Sequence, residues 1–377
     1  MHDRYLMPQI KKDLSKKMVF VGGPRQVGKT TLARKLLPKS GVGYLNWDIP
    51  DHRSQILKGE LPNSGLWIFD ELHKYRQWRN LLKGLYDGRP TGQQILVTGS
   101  ARLDYYRYSG DSLQGRYHYL RLHPLSLSEL APTQETLMDL MELGGFPEPF
   151  FGGSQVEARR WSREYRSRLI QEDLSQLEQV KDLGTLELLA MRLPELVGSP
   201  LSINGLREDL KVAHKTASNW VTILERLYAI FRLSPLGSPK IRAVKKEQKH
   251  YQFDWTLVTE IGLRFENLVA CHLLKWVHYR QDCFGEDYDL RYFRDIDGRE
   301  VDFVVLKNRV PVWLVECKWN NAEVSPALLY LKAKFPMAEA YQISGIGTKD
   351  YVTPTGVRVC PALAFLSQLS LIDGQPF

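Results

Sequence analysis

At 377 residues the chain is too long for one ordinary domain and predicts two or three. Its 43% hydrophobic and 25% charged content fits a globular protein with real apolar cores, and no apolar run reaches the roughly 18 residues that span a bilayer. The scattered cysteines (Cys271, Cys283, Cys317, Cys360) lack C-x-x-C spacing and speak against a zinc frame or disulfide scaffold, while the net charge of +8 permits nucleic-acid binding without establishing it.

In chain order, residues 1–17 read as a short amphipathic helix, with Leu6, Ile10 and Leu14 on one face. This start has no apolar core or small-residue cleavage site, so a cytoplasmic protein without a membrane segment is expected. KMVFVGGPRQVGKTTLARKLL then reads as an apolar strand, a glycine-rich turn and a helix beginning near Gly28. Further strands are predicted at Gly43–Trp47, Leu66–Phe69, Gln94–Thr98 and His118–Leu122. Strands alternating with helical segments imply a parallel α/β sheet.

The turn GPRQVGKT fits G-x-x-x-x-G-K-[ST] and predicts a nucleotide site formed by Gly23, Pro24, Arg25, Gln26, Val27, Gly28, Lys29, Thr30 and Thr31. The glycines let backbone N–H groups curl around phosphates, and the next helix adds its positive dipole end. Lys29 is expected on the β/γ-phosphates of ATP and the Thr30 hydroxyl on Mg2+. LWIFDELHK sets Asp70 and Glu71 at the C-terminal end of a strand, where such sheets bind ligands. Asp70 would complete the Mg2+ shell and Glu71 would polarise the attacking water. The alternative is an acidic pair that caps the next helix. In QILVTGSAR, Ser100, with Thr98 second, stands where a polar group could touch the γ-phosphate.

This order of phosphate loop, Asp-Glu strand and Thr-Gly-Ser strand resembles the AAA+ class of P-loop ATPases. GPRQVGKTTL, NWDIP, FDELHK, VTGSAR and GRYHYLRLHPLSLSEL resemble, more narrowly, a bacterial and archaeal family that joins this ATPase to a long C-terminal region of formerly unknown function. The resemblance runs through essentially the whole chain. It implies an arginine just before the fifth strand that reaches a neighbouring subunit's ATP, with Arg116 the candidate, and hence a homo-oligomer. The alternative for Arg116 is a local carboxylate pair.

Beyond Pro132 the alternation stops, and residues 135–195 read as mostly helical, broken by the turn-rich GGFPEPFFGG. SPLSINGLREDLKVAHKTASNWVTILERLYAIFRLSPL has the rhythm of a helix-turn-helix, with helices at Ile203–Leu210 and about Lys215–Leu227. The hairpin around KIRAVKKEQKHYQF then reads as a wing carrying Lys240, Arg242, Lys245, Lys246 and Lys249. In a DNA-binding reading Lys215, Thr216, Ser218 and Asn219 touch DNA and the wing lysines neutralise phosphates. The competing readings are a protein-binding adaptor and a solvated lysine run.

From Phe265 the pattern is helix, strand, strand, helix, strand. In EVDFVVLKNRVPVWLVECKW a turn at Lys307–Val310 joins two strands, so Glu316 and Lys318 share a face that Asp302 can meet. With Glu266 on the preceding helix, this arrangement resembles the PD-(D/E)xK nuclease superfamily. The resemblance implies one or two Mg2+ ions on Glu266, Asp302 and Glu316, with Lys318 steadying charge. The alternative is ordinary hairpin charges.

The expected architecture is therefore multidomain α/β: an AAA+ core (1–131), a helical lid (132–196), a winged helix (197–255) and a nuclease-like domain (256–377). The expected function is ATP hydrolysis that drives or gates remodelling of DNA, branched forms such as Holliday junctions included. Two other readings stand beside it, an ATP-gated metal-dependent nuclease for defence or mobile-element control and a signalling ATPase whose C-terminal half binds proteins.

Overall fold

The computed structural model describes residues 4–99, 113–173, 182–237 and 247–371. The chain divides into two compact units, the first holding residues 1–124 and 226–228, the second 125–225 and 229–377.

In the first unit, helix α1 (Met7–Leu14) precedes strand β1 (Met18–Gly22), and helix α2 (Lys29–Arg34) follows the phosphate loop. Next come β2 (Tyr44–Asn46), α3 (Pro50–Lys58), β3 (Leu66–Asp70), α4 (Trp78–Asp87), β4 (Gln94–Thr98) and β5 (Tyr117–Arg121). The strands form a parallel sheet in the order β2-β3-β4-β1-β5. All five residues of β1 are buried, which is why MVFVG reads as a continuous apolar run instead of an alternation. The register sets Asn46 beside Asp70 and Asp70 beside Thr98, so three strand ends converge on one edge. The expected strands are all present, within a residue or two at their ends.

The second unit opens with helices α5 (Gln134–Leu143), α6 (Pro147–Gly152) and α7 (Gln155–Arg168), followed by α8 (Leu183–Arg192). The GGFPEPFFGG segment is thus partly helical, because Pro147 supplies the preset φ of a first helical turn and Gly153 ends it at φ 67°. Helices α9 (Ile203–Leu210) and α10 (His214–Arg226) lie where the sequence places them, with Lys211 in the left-handed region at the turn between. Strands β6 (Ile230–Pro235) and β7 (Lys249–Gln252) follow, then the long helix α11 (Ile261–Phe284). The chain continues through β8 (Tyr288–Arg294), β9 (Glu300–Lys307), β10 (Val310–Lys318), α12 (Pro326–Lys334), β11 (Glu339–Ser344), β12 (Tyr351–Val352), β13 (Val357–Pro361) and α13 (Ala362–Ser367). The β9–β10 hairpin turns through Asn308 and Arg309, at φ 51° and 67° as a two-residue hairpin turn requires.

Two expectations change here. Strand β8, unforeseen in the sequence, lies between β9 and β6. The basic hairpin does not end a separate winged module at residue 255. Its strands β6 and β7 join the C-terminal sheet, order β12-β13-β11-β10-β9-β8-β6-β7, through parallel pairing of Ser234 with Arg291 and Pro235 with Tyr292. The helical segment after Leu125 belongs to the same unit: Trp255 Nε1 donates to Leu140 O at 2.6 Å, and the buried Lys275 pairs with Glu129.

Candidate active site and a second acidic cluster

The phosphate loop owes its shape to three left-handed positions, Gly23 at φ 132°, Gln26 at 59° and Gly28 at 96°. A Cβ on Gly23 would lie 2.2 Å from Leu122 O, so only glycine fits there. From outside the loop, Arg4 Nη1 donates to Val27 O at 2.7 Å and ties the N-terminal segment to it. Lys29 is buried and donates from Nζ to Gly23 O at 3.0 Å and Pro24 O at 2.6 Å, so its ammonium already lies within the loop.

Asp70, buried at the end of β3, is the focus of the site. Its Oδ2 accepts from Thr30 Oγ1 at 2.8 Å and Tyr44 Oη at 2.7 Å, and its Oδ1 from Thr98 Oγ1 at 2.6 Å. Burial, then the Asp70 carboxylate, pushes the Tyr44 phenol up to about 12, so it stays a donor. Glu71, next in sequence, sits at φ 57°. Burial raises its pKa, opposed by Lys74 and Lys29. Lys74 Nζ stands 3.4 Å from Glu71 and is held on its other side by Asp48 at 2.5 Å.

Thr30, Asp70 and Glu71 therefore meet beside the loop. Tyr44 and Thr98, the side chains that orient Asp70, went unassigned or were ranked second in the sequence; their signal is their place at strand ends in register with β3. Arg116 forms a two-pronged exposed pair with Asp87 at 2.9 and 3.1 Å, the local pairing. Ser100 lies outside the described residues. The donor set of loop, lysine, hydroxyl and carboxylate fits ATP and Mg2+: Gly23 to Thr31 would cradle the phosphates, and Thr30 and Asp70 would hold the metal.

Residues 15–131 match the family described as an AAA domain. The first unit is an AAA-type ATPase domain. Two domains of unknown function follow, DUF8612 at residues 134–267 and DUF4143 at residues 261–365. Uncharacterized proteins of Mycobacterium bovis and Mycobacterium tuberculosis are each 26% identical over 350 residues, covering 87% of this chain and 78% of the relative. Among solved structures, a RuvB variant from Thermotoga maritima aligns at a TM-score of 0.29 and 18% identity, over 60% of this chain and 88% of its own. A DNA polymerase III gamma-subunit-related protein of Thermotoga maritima aligns at 0.24 and 17%, over 74% and 98%. Bacteroides Pif1 bound to single-stranded DNA aligns at 0.22 and 17%, over 40% of this chain and 48% of that one, about half of its length. Among the described residues no helix is long and apolar enough to cross a membrane.

In the second unit, Lys215 and Asn219 are exposed on α10, and Thr216 and Ser218 are half-buried beside them. Trp220, Ile223 and Leu224 face inward. Lys240, Arg242, Lys245 and Lys246 lie outside the described residues. Lys249 is a correction: with 0% of its side chain exposed it cannot meet a DNA phosphate. Because β7 joins the sheet, its ammonium enters the acidic cluster, 3.3 Å from Glu266 Oε1, 2.5 Å from Glu300 Oε1 and 3.8 Å from Asp302 Oδ1. Burial opposes its charge, but Glu266, Asp302 and Glu300 outweigh burial and raise its pKa.

The cluster's carboxylates are otherwise engaged by the protein. Tyr251 Oη donates to Glu266 Oε1 at 2.7 Å, and the Cys317 N–H donates to Asp302 Oδ2 at 2.8 Å. Lys318 Nζ donates to Glu316 Oε1 at 2.8 Å, as their shared strand face predicts. Burial, then Asp302, pushes Glu266 up to about 8 and Glu316 up to about 7. Among the described residues, no group of three or more His, Cys, Asp or Glu side chains is arranged to hold a metal ion. The expected metal on Glu266, Asp302 and Glu316 does not fit this geometry. Lys249, Tyr251 and Glu300 are the members of the cluster that sequence reasoning missed.

Proposed function

We propose that the chain hydrolyses ATP at the loop of its first unit and uses the cycle to remodel DNA engaged by its second unit. The convergence of Thr30, Tyr44 and Thr98 on the buried Asp70, beside a loop that holds Lys29, carries the hydrolysis reading. Bound Mg2+ would supply charge neutralisation on the phosphates. Lys29 would leave the Gly23 and Pro24 carbonyls for a phosphate oxygen, while Thr30 and Asp70 keep their places. Glu71 would orient water once Lys74 is drawn off toward Asp48, its existing partner. Arg116 is half-buried but its pair with Asp87 is open to solvent, so it could be exchanged for a neighbouring subunit's nucleotide in an oligomer.

The DNA reading is supported by the net charge of +8, by the exposed Lys215 and Asn219 on α10, and by the basic run 240–246. Branched DNA such as a Holliday junction is the substrate form to try first. The test is ATP turnover with and without single-stranded, duplex and four-way DNA, together with binding across a salt series. Stimulated turnover and a salt slope reduced by about 0.9 for each of Lys215, Lys245 and Lys246 replaced by Ala are expected. No binding to any DNA at low salt, with turnover intact, would favour a signalling ATPase that binds proteins.

A further inference from the structure

We propose that the Lys249 ammonium is the built-in cation of the acidic cluster in the second unit, so that this cluster takes no divalent metal. An ammonium has three donors, and three carboxylates, of Glu266, Glu300 and Asp302, stand around this one. Their N···O separations of 2.5, 3.3 and 3.8 Å belong to ion pairs. Mg2+ draws its oxygens to about 2.0–2.1 Å and demands near-octahedral geometry, which the same carboxylates could reach only by expelling the lysine.

Expulsion is blocked by the fold. Lys249 lies in β7, paired to β6 through Leu233, and its side chain is wholly enclosed. Withdrawn from the cluster, the ammonium would be a buried charge without a partner. Two of the carboxylates also accept hydrogen bonds from elsewhere in the protein. Asp302 Oδ2 accepts the Cys317 N–H across the β9–β10 pair, and Glu266 accepts Tyr251. Glu316 Oε2 is buried without a hydrogen-bond partner, and a single such oxygen does not hold a divalent ion. Lys249 thereby joins β7, α11 and β9 through one internal charge. The cluster lies in the second unit, so its cation holds whether or not the first unit hydrolyses ATP.

The test is Mn2+ binding to the full-length, nucleotide-free chain, counted by loss of the free-ion electron paramagnetic resonance signal, with melting temperature measured in parallel. Wild type, Asp302→Asn and Glu316→Gln should bind the same number of ions. Lys249→Met, neutral and of similar length, leaves the buried Glu266 and the partly buried Glu300 and Asp302 without their counter-charge and should bind one more Mn2+ per chain. Mn2+ should also raise its melting temperature more than that of wild type. One ion fewer in Asp302→Asn or Glu316→Gln than in wild type would overturn the proposal. So would a folded Lys249→Met that binds no more than wild type. Should Lys249→Met fail to fold, the comparison of wild type with Asp302→Asn and Glu316→Gln decides.

Discussion

Thr98→Val isolates what positions Asp70, the carboxylate proposed to hold Mg2+ in the first unit. Threonine and valine have nearly the same shape, so the change opens no cavity and removes one donor, the hydroxyl that gives Asp70 Oδ1 a 2.6 Å hydrogen bond. Both side chains are buried, so water does not readily replace the lost donor. A hydrogen bond to a charged group contributes about 1.5–3 kcal/mol, and the variant should be destabilised by that order. Oδ2 keeps Thr30 and Tyr44, so the carboxylate stays near its place but loses the contact that fixes its rotation. Partners that orient a metal ligand are typically worth 10–100-fold in metal affinity or activity, and ATP turnover should fall by about that factor. The assay is steady-state ATP hydrolysis titrated with Mg2+. The apparent Mg2+ requirement should rise, while nucleotide binding in the absence of metal changes little. Thr98→Ser retains the hydroxyl and should recover most of the loss. Turnover within about twofold of wild type at every Mg2+ concentration would refute the assignment of Thr98 as a positioning residue.

Lys29→Ala should abolish turnover and weaken nucleotide binding, whereas Glu71→Gln should bind ATP and hydrolyse it slowly; filter-binding and phosphate-release assays separate the two, and wild-type turnover in Glu71→Gln would remove Glu71 from the chemistry. Burial holds His250 and His272 down at about 4, so their imidazole NMR signals should not titrate between pH 7 and 5. The sign follows from depressed folded pKa values: stability is full above about 6.5 and is lost as pH falls toward 4, by about 1.4 kcal/mol per pH unit for each histidine. The raised carboxyls of Glu266 and Glu316 act oppositely, contributing fully below the usual carboxyl range and less as pH rises through about 8 and about 7, so Glu266→Gln should lessen the loss of stability on the alkaline side in urea titrations.

The geometry of the phosphate loop and its neighbouring strand ends was legible in the sequence because its parts are local. GPRQVGKT sets its own turn, and Asp70 ends an apolar strand whose parallel neighbours end on the same sheet edge. The α9–α10 pair was legible for the same reason, as a 3.6-residue period interrupted by a short turn. The hand of Glu316 and Lys318 followed from the two-residue period of a strand alone. Lys249 is the opposite case. Among Lys245, Lys246 and Glu247 it reads as one more surface lysine, and no local rule marks it as buried. Its surroundings were decided by pairing of β6 with β8 across more than fifty intervening residues, from Ser234 to Arg291, and by α11 and β9 bringing carboxylates from positions 266, 300 and 302. A buried charge is stable only where partners of opposite sign converge on it, and convergence is a property of tertiary packing.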